Sequence, residues 1–143
     1  LSIGIDCGET TGIGVYNRHT QKILGVHTTD FFGVIEFLTA YDKSDMTIYV
    51  EIPPTFIYSR NKFQSGAVRD RHAVNIGGNR REAQLLAEAL RREGYSVSEV
   101  PPIRKTKWNQ AEYEKHLKTD IKTNQHCRDA CRIAWNYAGR TME

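Results

Sequence analysis

The sequence predicts an α/β domain built on a mixed five-stranded sheet, three antiparallel hairpin strands plus two parallel ones, flanked by helices. Two patterns carry that prediction. Three short apolar runs near the start are separated only by tight-turn residues, which gives an antiparallel meander, and then helical and extended patterns alternate, which gives crossovers. The order is β-β-β-α-β-α-β-α, and right-handed crossovers lay the fourth and fifth strands parallel to the first.

The first strand is Ser2 to Cys7, with Ile3 and Ile5 on one face. Gly8-Glu9-Thr10-Thr11-Gly12 turns the chain into a second strand, Ile13 to Tyr16, and Asn17-Arg18-His19-Thr20 turns it again into a third, Lys22 to Thr29. Phe31, Val34, Ile35 and Leu38 recur at helical spacing, and Phe31 and Phe32 read as core. The continuous apolar run Thr47 to Glu51, closed by Pro53-Pro54, has the pattern of a central strand. Tyr58 to Gly78 is polar and basic, equally compatible with a loop or a short helix. Asn79 with Glu82 predicts a helix start, Ala83, Leu86, Ala87 and Leu90 its buried face, and Gly94 its stop. Tyr95 to Val100 is the fifth strand. Residues 103 to 122 are hydrophilic and partly helical, and Thr123 caps a last helix to Ala138 with Cys127, Ala130, Cys131, Ala134 and Ala138 as its inward seam.

The 143 residues form one domain, 1–143, long enough to bury about two thirds of the unfolded surface. No run approaches the ~20 apolar residues of a membrane span and no leader pattern opens the chain, so a soluble, non-exported protein without a membrane partner is expected. Three cysteines without CxxC spacing indicate neither a disulfide framework nor a zinc knuckle, and a reducing cytoplasm is the expected location. Cys127 and Cys131, one helical turn apart, read as small buried hydrophobes. The net charge of +3 divides into −3 over residues 1–50 and +6 over 51–143, which permits a nucleic-acid surface in the second part.

Asp6 ends the first strand, Glu51 ends the fourth, and His126 and Asp129 lie on one face of the last helix. If strands one and four are parallel neighbours, their terminal carboxylates are about one strand spacing apart, ~4.8 Å. Like charges that close call for a cation, and an oxygen-rich set of this kind suits Mg²⁺ or Mn²⁺ and two-metal phosphodiester hydrolysis. Taken singly, each residue has a structural role open to it: a turn aspartate, a solvated strand end, a polar helix face. Their joint placement favours chemistry.

Ile5-Asp6-Cys7-Gly8-Glu9-Thr10-Thr11-Gly12-Ile13-Gly14-Val15 resembles the opening motif of RuvC-type Holliday junction resolvases of the RNase H-like superfamily. Tyr49-Val50-Glu51 with Arg60, Lys62 and Gly77-Gly78, then Val100-Pro101-Pro102-Ile103-Arg104-Lys105, then His126-Cys127-Arg128-Asp129-Ala130, are similar to that family's later blocks, in order and over nearly the whole chain. Cys7 stands where the family has proline, and the segment after Lys107 lacks its glycine-rich motif. The shortness is similar to phage-encoded members, whose location is the host cytoplasm. The resemblance implies an RNase H-like fold and a Mg²⁺-dependent homodimeric endonuclease that resolves branched DNA at a four-way junction, with Asp6, Glu51, His126 and Asp129 as catalytic and metal-site positions.

Nine residues are candidate DNA contacts. Phe56, Tyr58, Arg60, Lys62, Arg69 and Arg71 follow the catalytic strand, with Phe56 placed to wedge a branch point and Tyr58 as the alternative, while Arg104, Lys105 and Lys107 follow strand five. Arg80-Arg81 and Arg91-Arg92 read as a solvated helix face. A flap, a branched replication intermediate or an RNA–DNA hybrid is the alternative substrate for the same site. The opening motif is also shared with actin-like ATPases, which need two such domains, and a non-enzymatic binding module would not need all the acidic positions.

Overall fold

The computed structural model describes residues 1–54, 66–103 and 105–139. Five strands, β1 (Ser2–Asp6), β2 (Thr11–Asn17), β3 (Lys22–Thr29), β4 (Thr47–Glu51) and β5 (Ser96–Val100), form one sheet in the order β3-β2-β1-β4-β5. β1 is antiparallel to β2 and β2 to β3, while β4 is parallel to both β1 and β5. The sheet is the mixed one expected, with β1 at its centre. Helices α1 (Gly33–Leu38), α2 (Gly66–Arg92), α3 (Gln110–Leu117) and α4 (Gln125–Ala138) cover its faces.

Alternation along the strands sorts the two faces. Ile3, Ile5, Ile13, Val15, Ile48 and Val50 point to one side, where Val34 and Leu38 of α1 and Ala83, Leu86, Ala87 and Leu90 of α2 complete the main core. Ser2, Gly4 and Asp6 point to the other side, onto α4. Three glycines clear the sheet directly under the helix: a Cβ on Gly4 would strike the Ala130 carbonyl, one on Gly12 the His126 carbonyl, and one on Gly14 would lie 2.7 Å from Cys131 Cα. These glycines, with Ala130, Cys131 and Ala134 on the helix, let two backbones approach closely, and Ser2 Oγ donates to the Ala134 carbonyl at 2.7 Å. The cysteine seam is buried and unpaired, as expected of small hydrophobes.

Four expectations need correction. The helix assigned to start at Asn79 is the second half of a 27-residue helix that begins at Gly66 and runs through Gly77 and Gly78. Each mid-helix glycine costs only about 1 kcal/mol, and the apolar face from Ala83 to Leu90 anchors the element against the sheet, so the glycines do not break it. Asn124, not Thr123, caps α4: its side chain accepts from the Cys127 amide at 2.9 Å, leaving the Thr123 hydroxyl to donate to Gln110 Oε1 at 2.6 Å. Phe31 packs on the core, but Phe32 is 85% exposed. Helical spacing places only one of two consecutive residues inward. Finally, Arg80 is half-buried, donating to the Pro53 carbonyl at 2.6 Å and so tying α2 to the exit of β4. Arg91 and Arg92 pair with Glu99 and Glu88 on the surface, as a solvated face would.

Candidate active site

Register brings the acidic residues together. Ile5 of β1 is level with Val50 of β4, so the next residue on each strand, Asp6 and Glu51, ends its strand beside the other. Both have the parity of the α4 face, shared with Gly4 and Tyr49. On that face α4 is docked by the glycine bed, with the His126 carbonyl over Gly12. Gly12 is the antiparallel partner of Asp6, and His126 Nδ1 lies 3.2 Å from Asp6 Oδ2. One turn along α4, Asp129 enters the same region.

Asp6, Glu51 and Asp129 line one small cavity of about 130 Å³ together with Lys105, Lys107 and Arg132. His126 is not among its lining residues and guards the Asp6 side. Asp129 is held at both oxygens: Gln125 Nε2 donates to Oδ1 at 2.7 Å, and Lys107 Nζ stands 3.4 Å from Oδ2.

A strap between β5 and α3 carries the two lysines, and α4 fastens it. Arg128 Nε donates to the Trp108 carbonyl at 3.2 Å, and Arg132 Nη1 to the Thr106 carbonyl at 2.8 Å. Arg132 also lies over the Trp108 ring at 4.5 Å. Asn109 then opens α3 with a reciprocal capping box to Glu112, which fixes the strap's far end.

The electrostatics of the cavity are those of crowded acids. Burial, followed by the charges of Asp6 and Asp129, pushes the Glu51 carboxyl up from 4.5 to about 7, with Lys107 offsetting part of the effect. Burial also raises Asp6, with Asp129 adding to it, while the hydrogen bond and charge of His126 and the charge of Lys107 oppose the rise. Cys7, next to Asp6, is a buried thiol pushed up to about 12 by burial first and by the neighbouring acids second, so it stays protonated and inert.

Among the described residues, His, Cys, Asp and Glu side chains form no ready-made cluster of three for a metal ion. What the site offers is three carboxylates facing three cations around one cavity, with the carboxyls of Asp6 and Glu51 pushed up chiefly by burial despite those cations. Hard oxygen donors whose protonation is favoured by burial first and by neighbouring acids second are the chemistry a dication relieves, so the residues present fit Mg²⁺ or Mn²⁺.

Sequence reasoning located Asp6, Glu51, Asp129, Lys105 and Lys107, and the structure brings those five to one cavity. It missed Gln125 and Arg132, whose roles depend on which way α4 faces once docked; their spacing from Asp129, four residues before and three after, was the available signal. Arg69 and Arg71 lie on α2, and their side chains lie outside the described residues, as do Phe56, Tyr58, Arg60, Lys62 and Arg104.

Fold and site together define an α/β domain with an acidic cleft at the carboxyl ends of two neighbouring parallel strands in a mixed sheet. Among solved structures, the chain is similar to the Fowlpox virus resolvase, determined in complex with its substrate Holliday junction DNA, at 12% identity and a TM-score of 0.47 over 99% of this chain and 98% of that one. No family model matches the chain, and no curated protein matches it.

Proposed function

We propose that the chain is a divalent-metal-dependent endonuclease that resolves four-way DNA junctions by phosphodiester hydrolysis. The observation that carries the hydrolytic reading is the single cavity in which carboxylates from β1, β4 and α4 face cations from the strap and α4. The choice of a junction as substrate rests on the resemblance of the opening and closing motifs to RuvC-type resolvases. Two nicks placed symmetrically across a junction are most simply made by two copies of the chain, so the working form is a homodimer.

Asp6, Glu51 and Asp129 would hold Mg²⁺ or Mn²⁺, which when bound supplies an activated water and stabilises the leaving oxygen. The chain's own cations do the rest. Lys105 and Arg132 border the carboxylates and are placed to take non-bridging oxygens of the scissile phosphate. Lys107 balances Asp129, and His126 holds the Asp6 carboxylate in orientation through Nδ1. Gln125 fixes the remaining oxygen of Asp129, in the manner of groups that orient metal ligands from behind.

The test is a cleavage panel with Mg²⁺ on a four-way junction, a flap, an RNA–DNA hybrid and plain duplex. Paired nicks confined to the junction are expected. Cleavage of flap or hybrid with the junction spared assigns the same site to the other substrate, and no cleavage of any substrate refutes the nuclease reading.

A further inference from the structure

A second cavity, of about 300 Å³, opens between the end of β2 and the last turns of α4, with Tyr16, Arg18, Gln21, Trp135 and Asn136 in its wall. Register separates it from the acidic cleft. Tyr16 is level with Ser2, and Gly12 with Asp6, which puts the two cavities about 13 Å apart along the strand direction.

Arg18 is the unusual member of this wall. Nε and Nη2 of its guanidinium are buried, and neither has a hydrogen-bond partner among the described residues. None of the residues described as lining the cavity is acidic. Two buried donors without a partner are costly, and an anion bound in the cavity that Arg18 lines would offer them one. The planar fork of a guanidinium matches the oxygens of a phosphate in two parallel bonds.

The rest of the wall adds direction. Trp135 is 37% exposed, and its ring centroid lies 5.4 Å from that of Trp108. Trp108 carries the Arg132 guanidinium over its ring, and Arg132 lines the acidic cleft. A row of two tryptophans with an arginine at each end, Arg132, Trp108, Trp135 and Arg18, therefore runs between the two cavities. Trp108 is buried between His116 and Arg132, so Trp135 is the ring of this row open to a base, with a cation beyond it on either side for phosphates.

We propose that the second cavity is a phosphate subsite, in which Arg18 takes the oxygens of a nucleotide phosphate and Trp135 receives the adjoining base. The phosphate belongs either to a DNA strand leaving the cleft or to a free nucleotide. The strand source rests on the nuclease reading above; the phosphate chemistry does not.

The experiment uses the full chain in metal-free buffer with a chelator, so cleavage plays no part. In the first arm a labelled four-way junction is titrated between about 50 and 200 mM salt, and Arg18→Gln lowers the magnitude of the log–log slope by about one relative to wild type, whereas Arg18→Lys keeps it. In the second arm inorganic phosphate and thymidine 5′-monophosphate are added to the protein alone. Both raise the Tm of wild type, the nucleotide also quenches tryptophan fluorescence, and Arg18→Gln responds to neither. In phosphate-free buffer Arg18→Gln melts at or above the wild-type temperature, which shows that it is folded and that the two buried donors had no partner to lose.

A slope change in the first arm assigns the subsite to a DNA strand, and a response in the second arm alone assigns it to a free nucleotide. An unchanged slope together with a wild-type Tm indifferent to phosphate overturns the proposal. A junction that binds with the Arg18-dependent slope yet is never cut with Mg²⁺ leaves the subsite standing and refutes the nuclease reading.

Discussion

Glu51 sits where its charge harms the fold, and Glu51→Gln should therefore stabilise the metal-free protein at alkaline pH. Its carboxyl titrates near 7 in the folded chain against an ordinary value of 4.5, chiefly because of burial and then because of Asp6 and Asp129. A carboxyl whose folded value is raised binds its proton more tightly in the native state, so ionisation penalises that state. The penalty is absent below 4.5, grows as pH rises toward about 7, and is complete above that. Fully expressed, the difference amounts to about 3 kcal/mol. For a chain of this size each kcal/mol moves Tm by about 2–4 °C, so Glu51→Gln should melt several degrees above wild type near pH 8 and level with it near pH 4.5. Differential scanning calorimetry with a chelator present makes the measurement. Adding Mg²⁺ should then raise wild type toward the variant, because the ion answers the same repulsion. A variant that melts at or below wild type at the alkaline end would refute the crowded-acid account of the cleft.

Gln125→Ala frees one oxygen of Asp129 and should lower kcat by about 10–100-fold with little change in KM for junction DNA, as loss of an orienting partner does; a KM effect alone would make Gln125 a DNA contact. His126→Asp should retain more Mg²⁺-dependent cleavage than His126→Ala, since a carboxylate can still serve the metal site beside Asp6, and wild-type cleavage by His126→Ala would return His126 to a helix-surface role. Light scattering should give twice the 16.4 kDa chain mass, and a monomer both free and on the junction would remove the dimer and favour flap or hybrid cleavage.

The sheet was legible because its information is local. Alternation at Ile3 and Ile5, turn residues at Asn17 to Thr20, and the unbroken run into Glu51 each specify a strand within a few residues. In the second turn the Asn17 side chain accepts from the His19 and Thr20 amides, as short polar turn residues do. The helix starts were harder. Gly77-Gly78 reads as a boundary by propensity, but packing of the residues after it carries α2 through. Thr123 and Asn124 are both good caps, and the choice fell to the residue whose side chain faced the Cys127 amide.

In the site, the three carboxylates could be placed from sequence because strand ends and helix position are topological facts. Gln125, Arg132 and the unanswered guanidinium of Arg18 could not. Gln125 and Arg132 share the helical spacing of Asp129 but owe their roles to the rotation and docking of α4 on the glycine bed, and Arg18 owes its role to what the β2–β3 turn buries.

In the function proposed above, one cavity at the ends of β1 and β4 hydrolyses DNA. The most direct measurement compares Asp6→Asn, Glu51→Gln and Asp129→Asn with wild type on one four-way junction, scoring Mg²⁺-dependent cleavage and chelator-phase binding side by side. Each neutral variant should lose cleavage by orders of magnitude while binding stays near wild type, because the carboxylates are needed for the metal and the affinity comes from lysines and arginines on phosphate. Near-normal cleavage by any one of the three would contradict the assignment of this cavity as the active site.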